Sequence, residues 1–216
     1  TPWADTIQQR LAHSPFQVIA DLPHFAGRKR ETEALKQALL DASPVKLCSL
    51  HGMAGVGKTT LAAHLAYQLR PYFPDGVLWA RLENADTMSI LNSFARAYGL
   101  DGADYKNLES RSRVVRELLA PKRILIVLDN VETSDQVQPL LPPSGACAVL
   151  LTSRRHDLAV ARGAQRFQIG PFEQKEESLE LFANLLGQDY VQREREPLLE
   201  IAALLGNLPL ALDIAA

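Results

Sequence analysis

The chain has 216 residues, and its 23 lysines and arginines against 25 aspartates and glutamates give a formal net charge of −2 at pH 7. This balance excludes a strongly basic surface, so we expect no direct nucleic-acid contact from this segment. The sequence shows no signal peptide and no run of roughly 18 apolar residues, which predicts a cytoplasmic protein without a membrane partner.

The first 24 residues predict an arm that precedes the folded domain. Residues 3–14 are typical of a short helix, and the stretch "SPFQVIADLP" with Pro15 and Pro23 is typical of an extended linker. The chain begins with Thr1 rather than Met and ends within an apolar stretch, so we expect it to be part of a longer protein.

Residues 25–170 alternate between amphipathic and continuously apolar segments. Apolar positions at helical spacing predict helices, and short apolar runs predict buried strands. Five strands alternating with helices predict an α/β fold with a five-stranded parallel sheet, and the lack of polar alternation in "RILIVL" predicts helices on both of its faces. The predicted helices are 30–40, 58–70, 87–99, 107–120 and a short one near 134–141, and the predicted strands are 45–50, 76–82, 123–128, 147–152 and 166–170.

Residues 171–216 predict the beginning of an α-helical domain. The stretch "KEESLELFANLLG" has Leu179, Phe182 and Leu186 on one face and ends at Gly187. The stretch "EPLLEIAALLG" has a similar stripe, and Pro209 begins a third helix. We expect the rest of this helical domain to lie outside the chain.

The stretch "HGMAGVGKTTLA", residues 51–62, predicts a phosphate-binding loop. Its glycines, lysine and first threonine fit G-x-x-x-x-G-K-[ST] between an apolar strand and an amphipathic helix. Glycines let backbone amides wrap an anion, and the helix adds the positive end of its dipole. A chance glycine turn is the alternative. The predicted nucleotide contacts are Gly52, Met53, Ala54, Gly55, Val56, Gly57, Lys58, Thr59 and Thr60.

Three side chains of this loop are predicted to contact the nucleotide or its metal ion. Lys58 would place a positive charge at the β- and γ-phosphates, and Thr60 would reach the α-phosphate. Thr59 offers a hydroxyl to Mg²⁺. The second Mg²⁺ ligand is predicted at Asp129, which ends the apolar stretch "ILIVLD" at the sheet edge where ligands bind. A simple Asp-Asn turn is the alternative interpretation.

The stretch "VLLTSRR" ends another predicted strand at the same edge of the sheet. Arg154 is predicted to contact the γ-phosphate through charge-assisted hydrogen bonds. Its neighbour Arg155 is an alternative for that role, and a solvent-facing arginine pair is the other interpretation.

Five motifs in a fixed order resemble the NB-ARC branch of the STAND signalling ATPases. They are "HFAGRKRE", "GMAGVGKTTLA", "LIVLDNVE", "LLTSRR" and "GNLPLAL", and the resemblance covers about residues 22–216. It implies a P-loop sheet followed by a helical bundle of the ARC type. It also implies a protein that is closed and monomeric with ADP, and that opens and self-associates with ATP. Sensor repeats and an effector would lie outside this chain.

The resemblance also implies roles for residues that spacing does not reveal. In the family, the motif around "FAGR" lines the adenine and phosphates, which carries over to Phe25, Gly27 and Arg28. The proline of the last motif packs near the adenine, which carries over to Pro209, with Leu210 beside it. Arg154 matches the family's sensor arginine. With Lys58 and Asp129 it completes the residues expected to act in hydrolysis, and ADP or ATP with Mg²⁺ is the expected ligand.

The position after Asp129 departs from the family pattern. Many relatives carry a second acid there that is proposed to act on the attacking water, but here it is Asn130, which cannot take a proton. Glu132 is nearby and is expected to face elsewhere. We therefore predict weak ATPase activity that serves a switch.

Two other classes of function are alternatives. A conventional P-loop ATPase or a small-molecule kinase would turn over faster, but a kinase usually needs an arginine-bearing lid that the sequence does not show. A nucleic-acid-binding regulator would need a basic surface, which the charge balance disfavours.

Overall fold

The computed structural model describes residues 14–41, 46–100, 107–143, 145–157 and 164–216. Within these ranges five parallel strands form one sheet in the order β2-β3-β4-β1-β5. The strands are β1 Leu47–His51, β2 Val77–Arg81, β3 Leu125–Val131, β4 Ala148–Ser153 and β5 Gln165–Gln168. The predicted α/β fold with a five-stranded parallel sheet is confirmed.

Helices flank the sheet and then continue beyond it. They are α1 Lys29–Leu40, α2 Lys58–Leu69, α3 Thr87–Arg96, α4 Leu108–Leu119, α5 Ser134–Val137, α6 Lys175–Leu186, α7 Gln188–Arg193, α8 Arg195–Leu204 and α9 Pro209–Ala215. The short helix predicted near 134–141 is a single α-turn followed by a 3-10 turn, Gln138–Leu140, which contains Pro139. Helix α7 was not predicted, because Val191 is its one buried residue and leaves no apolar stripe to detect.

Both faces of the sheet are covered by helices. Along β3, Ile126 and Leu128 pack into a core with α3 and α4. Leu125 and Val127 pack into the opposite core with α1 and α2. This arrangement explains the continuous apolar run, since a strand buried on both faces has no solvent side to alternate with.

A third core holds the carboxyl-terminal helices together. It contains Phe182 of α6, Leu198 of α8 and Leu212 of α9, and it also includes Ala26 and Phe172 from outside those helices. The bundle is therefore packed against the segment that precedes α1. The proposed domain boundaries at residues 24–25 and 170–171 stay predictions.

The described part of the linker runs along the edge of the sheet. The amide of Val77 donates to the carbonyl of Pro15 at 2.9 Å, and the amide of Gln17 donates to the carbonyl of Val77 at 3.0 Å. The helix expected near the amino terminus falls almost wholly on residues 1–13, outside the described residues. Of the helices in the described ranges, none is both long and apolar enough to cross a membrane.

Strand β3 continues past its predicted end at residue 128. Its register with β4 shifts between Leu128 and Val131, and Asn130 there adopts a positive φ of 56°. The Ser153 hydroxyl donates to the carbonyl of Val131 at 2.7 Å, and this bond holds the irregular segment in the sheet. Bulges of this kind re-aim side chains beside binding sites.

Candidate nucleotide-binding site

A cavity of about 380 Å³ lies at the carboxyl edge of the sheet, above the loop that joins β1 to α2. Its volume is within the range of pockets that hold small molecules. Its wall includes the segment before α1, the glycine-rich loop with the start of α2, the ends of β3 and β4, and the helical bundle with α9. The predicted contacts that line it are Phe25, Arg28, Ala54, Gly55, Val56, Gly57, Lys58, Thr59, Thr60, Arg154, Pro209 and Leu210.

Gly55 shows why the loop needs a residue without a side chain. Its φ is +83°, and an added Cβ would lie 3.3 Å from Cβ of Leu210. The amide of Leu210 donates to the carbonyl of Gly55 at 3.1 Å. The backbone of α9 is therefore fastened to the loop, and a larger residue at position 55 would disturb both.

Lys58 is buried at the first position of α2. Its exposed fraction is 7%, and Nζ donates to the carbonyls of Gly52 at 2.9 Å and Met53 at 2.8 Å. Burial and then repulsion from Arg154 lower the pKa of Lys58, while Asp129 acts in the opposite direction. A phosphate group beside Lys58 would favour its charged form and oppose the effect of burial and of Arg154.

Asp129 and Thr59 form an oxygen-rich cluster with Thr152 on β4. The hydroxyls of Thr59 and Thr152 donate to Oδ1 of Asp129 at 2.7 Å and 2.6 Å. Asp129 is only 2% exposed, so its carboxylate is fixed by these bonds. Sequence reasoning placed Thr152 at the ligand edge but did not identify it as a partner of Asp129.

The oxygens of these residues are suitable ligands for a magnesium ion that also binds a nucleotide phosphate. Carboxylate and hydroxyl oxygens are the ligands Mg²⁺ takes, and it usually keeps waters and substrate phosphates as the others. The described residues contain no group of three or more acidic, histidine or cysteine side chains that could hold a metal alone. Thr59 and Asp129 would hold Mg²⁺, which would offset phosphate charge when it is bound.

Arg28 links the glycine-rich loop to the segment after β5. Its guanidinium donates to the carbonyl of Val56 at 3.1 Å and to the carbonyl of Gly170. It also pairs with Glu31 at 2.9 Å and lies 5.0 Å from the ring centroid of Phe172. Only 4% of Arg28 is exposed. In the cavity wall its main role is structural, because it joins the phosphate loop to the segment after β5.

Gly27 lies against the helical bundle rather than in the cavity wall. Its φ is +65°, and an added Cβ would meet the Glu177 carboxylate oxygen at 2.8 Å. That same oxygen accepts a hydrogen bond from the amide of Arg28 at 2.9 Å. The Gly-Arg pair therefore lets α6 approach the loop closely.

Phe25 is held from both sides. Its ring stacks on His64 with centroids 3.8 Å apart, and the Asn184 side chain donates to its carbonyl at 3.1 Å. The stacking partner comes from α2 and the amide from α6. This contact places Phe25 in the cavity wall, and no local pattern in the sequence indicates its partners.

The side chains of Arg154 and Arg155, which follow β4, have different environments. Arg154 lines the cavity, while Arg155 forms an exposed ion pair with Asp157 at 2.9 Å. The remaining predicted contacts Gly52, Met53 and Asp129 are not part of the cavity wall. Wall residues that sequence reasoning missed are Leu22, His24, Ala26, Asn130, Phe172, Leu181 and Asp213, which tertiary packing brings there.

The family model of the NB-ARC domain matches residues 28–192. The chain belongs to the NB-ARC family. This confirms the resemblance that the five motifs indicated, and it makes the chain an NB-ARC P-loop NTPase module of a bacterial type, in a family of nucleotide-binding domains.

Curated relatives match most of this NB-ARC chain but are much longer. The regulatory protein AfsR of Streptomyces griseus is 40% identical over 212 residues, covering 94% of this chain and 21% of that protein. AfsR of Streptomyces coelicolor is 38% identical over 217 residues, covering 94% and 22%. A probable disease resistance protein of Arabidopsis thaliana is 29% identical over 157 residues, covering 68% and 15%. The chain therefore spans about a fifth of the length of AfsR.

Solved structures share the fold of the NB-ARC chain. One is a Signal Transduction ATPase with Numerous Domains (STAND) protein with a tetratricopeptide repeat sensor from Pyrococcus horikoshii. It has a TM-score of 0.61 and 21% identity, and covers 89% of this chain and 30% of that one. The Walker-type ATPase of Pyrococcus abyssi has a TM-score of 0.57 and 14% identity, with 92% and 68% covered.

Proposed function

We propose that this NB-ARC chain is the ADP- and ATP-binding switch module of a STAND-type signal-transduction ATPase. The observation that carries the proposal is a single cavity whose wall includes Arg28, Lys58 and Pro209. These residues belong to the segment before α1, the phosphate loop and the helical bundle. One ligand in that cavity would contact all three parts at once.

A ligand that touches two bodies can set their relative orientation. It shifts a closed–open equilibrium only by its difference in affinity for the two forms. ADP would stabilise the closed form, in which α9 is bonded to the loop through Leu210 and Gly55. The γ-phosphate of ATP would add charge next to Arg154 and thereby favour opening.

Lys58, Asp129 and Arg154 would act on the phosphates, with Thr59 and Asp129 holding Mg²⁺. Asn130 cannot accept a proton, so a base for the attacking water is missing from the position after Asp129, and we expect slow hydrolysis. In the longer protein, opening would expose surfaces for self-association. C-terminal sensor repeats and an effector would sense and transmit the signal, as the length of the relatives allows.

The switch is tested by its bound nucleotide and by its assembly state. The full chain is purified and denatured, and the released nucleotide is identified by chromatography; we expect retained ADP. With excess ATP analogue, the longer protein should elute from size exclusion as a larger species than with ADP. An empty chain with a turnover of several per second would instead support a conventional ATPase, on the scale of typical enzymes.

The pH dependence of nucleotide affinity tests the charge state of Lys58. Because its pKa is lowered, the ammonium should lose its charge at a lower pH than an ordinary lysine would. Affinity for ADP should therefore weaken as pH rises through that lowered pKa, since a neutral amine no longer attracts phosphate. Titrations from about pH 7 to about pH 10 measure this, and a constant affinity in that interval would contradict it.

A further inference from the structure

The side chain of Asn130 is bonded to a glutamate on the neighbouring strand. Nδ2 of Asn130 donates to Oε2 of Glu83 at 3.3 Å. The same oxygen accepts a bond from Arg81 at 2.8 Å. The Glu83 carboxylate is thus held beside Asn130, the position on β3 where many relatives carry an acid.

The sheet register explains why Glu83 lies there. Arg81, at the end of β2, pairs with Asp129 of β3. The next amide, that of Leu82, donates to the carbonyl of Asp129 at 2.8 Å, so the chain stays beside β3 for one more residue. Glu83 follows one position beyond the residue level with Asn130, and Asn130, whose backbone is left-handed at the bulge, donates from its side chain to the Glu83 carboxylate.

Glu83 faces a second cavity that adjoins the first. This second cavity, also about 380 Å³, is lined by Glu83, Asn130, Val131, Glu132, Thr133, Arg154 and Arg155. Asn130 and Arg154 line both cavities. A water molecule in the second cavity would therefore lie next to the space where Arg154 would meet a terminal phosphate.

We propose that Glu83 is the base that positions and deprotonates the attacking water when this chain hydrolyses ATP. The inference rests on the proposed ATP-binding function. The water oxygen forms a bond to the γ-phosphorus, and the bond from that phosphorus to the β–γ bridging oxygen breaks, leaving its electron pair on ADP. The proton passes from water to the Glu83 carboxylate and then to the released phosphate, so the glutamate is regenerated.

Other acids near the site are less suited to this step. Asp129 is buried and accepts bonds from Thr59 and Thr152, which commits it to the metal side of the site. Glu132 lines the second cavity as Glu83 does, but it is exposed at the start of the turn that leads to α5. Glu83 alone of these three accepts a bond from Asn130, and this bond orients its carboxylate together with the bond from Arg81.

The test compares Glu83→Gln with Glu132→Gln in the full chain. Glutamine keeps the size of Glu83 and can still accept from Asn130 and Arg81, but it cannot take a proton. Glu83→Gln should lower single-turnover ATP hydrolysis at least about 100-fold, the scale of general-base catalysis. Its dissociation constants for ADP and ATP should stay within about threefold of wild type, equivalent to less than 1 kcal/mol. Glu132→Gln should hydrolyse ATP at the wild-type rate.

A second readout does not depend on a measured rate. After incubation with Mg²⁺ and ATP and removal of free nucleotide, the wild-type chain should release mainly ADP on denaturation, and Glu83→Gln should release mainly ATP. Wild-type hydrolysis by Glu83→Gln, equal losses in both variants, or a wild-type chain that holds ATP without cleaving it would each overturn the role of Glu83. A wild-type chain that binds no adenine nucleotide would overturn the proposed function itself, and the role of Glu83 with it.

Discussion

Lys58→Ala should abolish the retention of ADP by the purified chain. The substitution removes a buried ammonium whose neighbours are the carbonyls of Gly52 and Met53, both of which repel phosphate. Loss of one partner of a buried charge pair costs about 2–5 kcal/mol of binding free energy. A loss of about 3 kcal/mol corresponds to roughly 100-fold weaker affinity. Calorimetric titration with ADP and with ATP measures this loss.

Lys175→Ala is the matched control for this substitution. Lys175 begins α6 and is exposed, so its replacement removes the same formal charge without touching the cavity wall. Its ADP affinity should match wild type. A second measurement is the nucleotide-induced rise in melting temperature, which follows ligand affinity by mass action. If Lys58→Ala and Lys175→Ala gave the same ADP affinity, the phosphate role of Lys58 would be excluded.

The phosphate loop was predictable from sequence because its geometry is local. Gly55 and Gly57 adopt positive φ angles, and Lys58 opens a helix, all within a few residues of one another. The acid of the site, Asp129, was also predictable, because the carboxyl ends of parallel strands meet at one edge. Local backbone rules and strand direction were sufficient for both.

The contacts between distant segments were not predictable in the same way. The pairs Arg28 with Gly170 and Gly27 with Glu177 join residues more than a hundred positions apart. No periodicity encodes such a pair, and the resemblance indicated Gly27 and Arg28 as ligand contacts rather than as links between helices and loop. Glu83 was missed for a related reason: its relevance depends on the bulge that turns Asn130 toward β2, and propensity does not reveal a bulge.

These links show how a ligand in the cavity could affect the bundle. Arg28 holds the carbonyl of Val56 in the phosphate loop, while its own amide is held by Glu177 of α6. Leu210 of α9 is bonded to Gly55 in the same loop. A shift of the loop around a terminal phosphate would therefore strain two separate attachments of the helical bundle. Packed interfaces respond to such strain by changing between discrete arrangements.

Arg28→Met should destabilise the chain strongly even in the absence of nucleotide. The substitution leaves the buried carbonyl of Val56 and the carbonyl of Gly170 without their donor, and it removes the cation from the face of Phe172. An unsatisfied buried acceptor costs about 1–3 kcal/mol, so we expect a loss of about 3 kcal/mol in the free energy of unfolding. For a chain of this size that lowers the melting temperature by roughly 6–12 °C.

Arg30→Met is the control that distinguishes the loss of the Arg28 contacts from the simple loss of a positive charge. Arg30 lies two residues further along, on α1, and is exposed. Its replacement should change the free energy of unfolding by less than about 0.5 kcal/mol, as is usual for surface positions. Calorimetry of both nucleotide-free variants provides the comparison. Equal melting temperatures would mean that Arg28 does not hold the loop and the bundle together. A large drop for Arg28→Met alone would identify Arg28 as one of the residues that join the nucleotide site to the helical bundle.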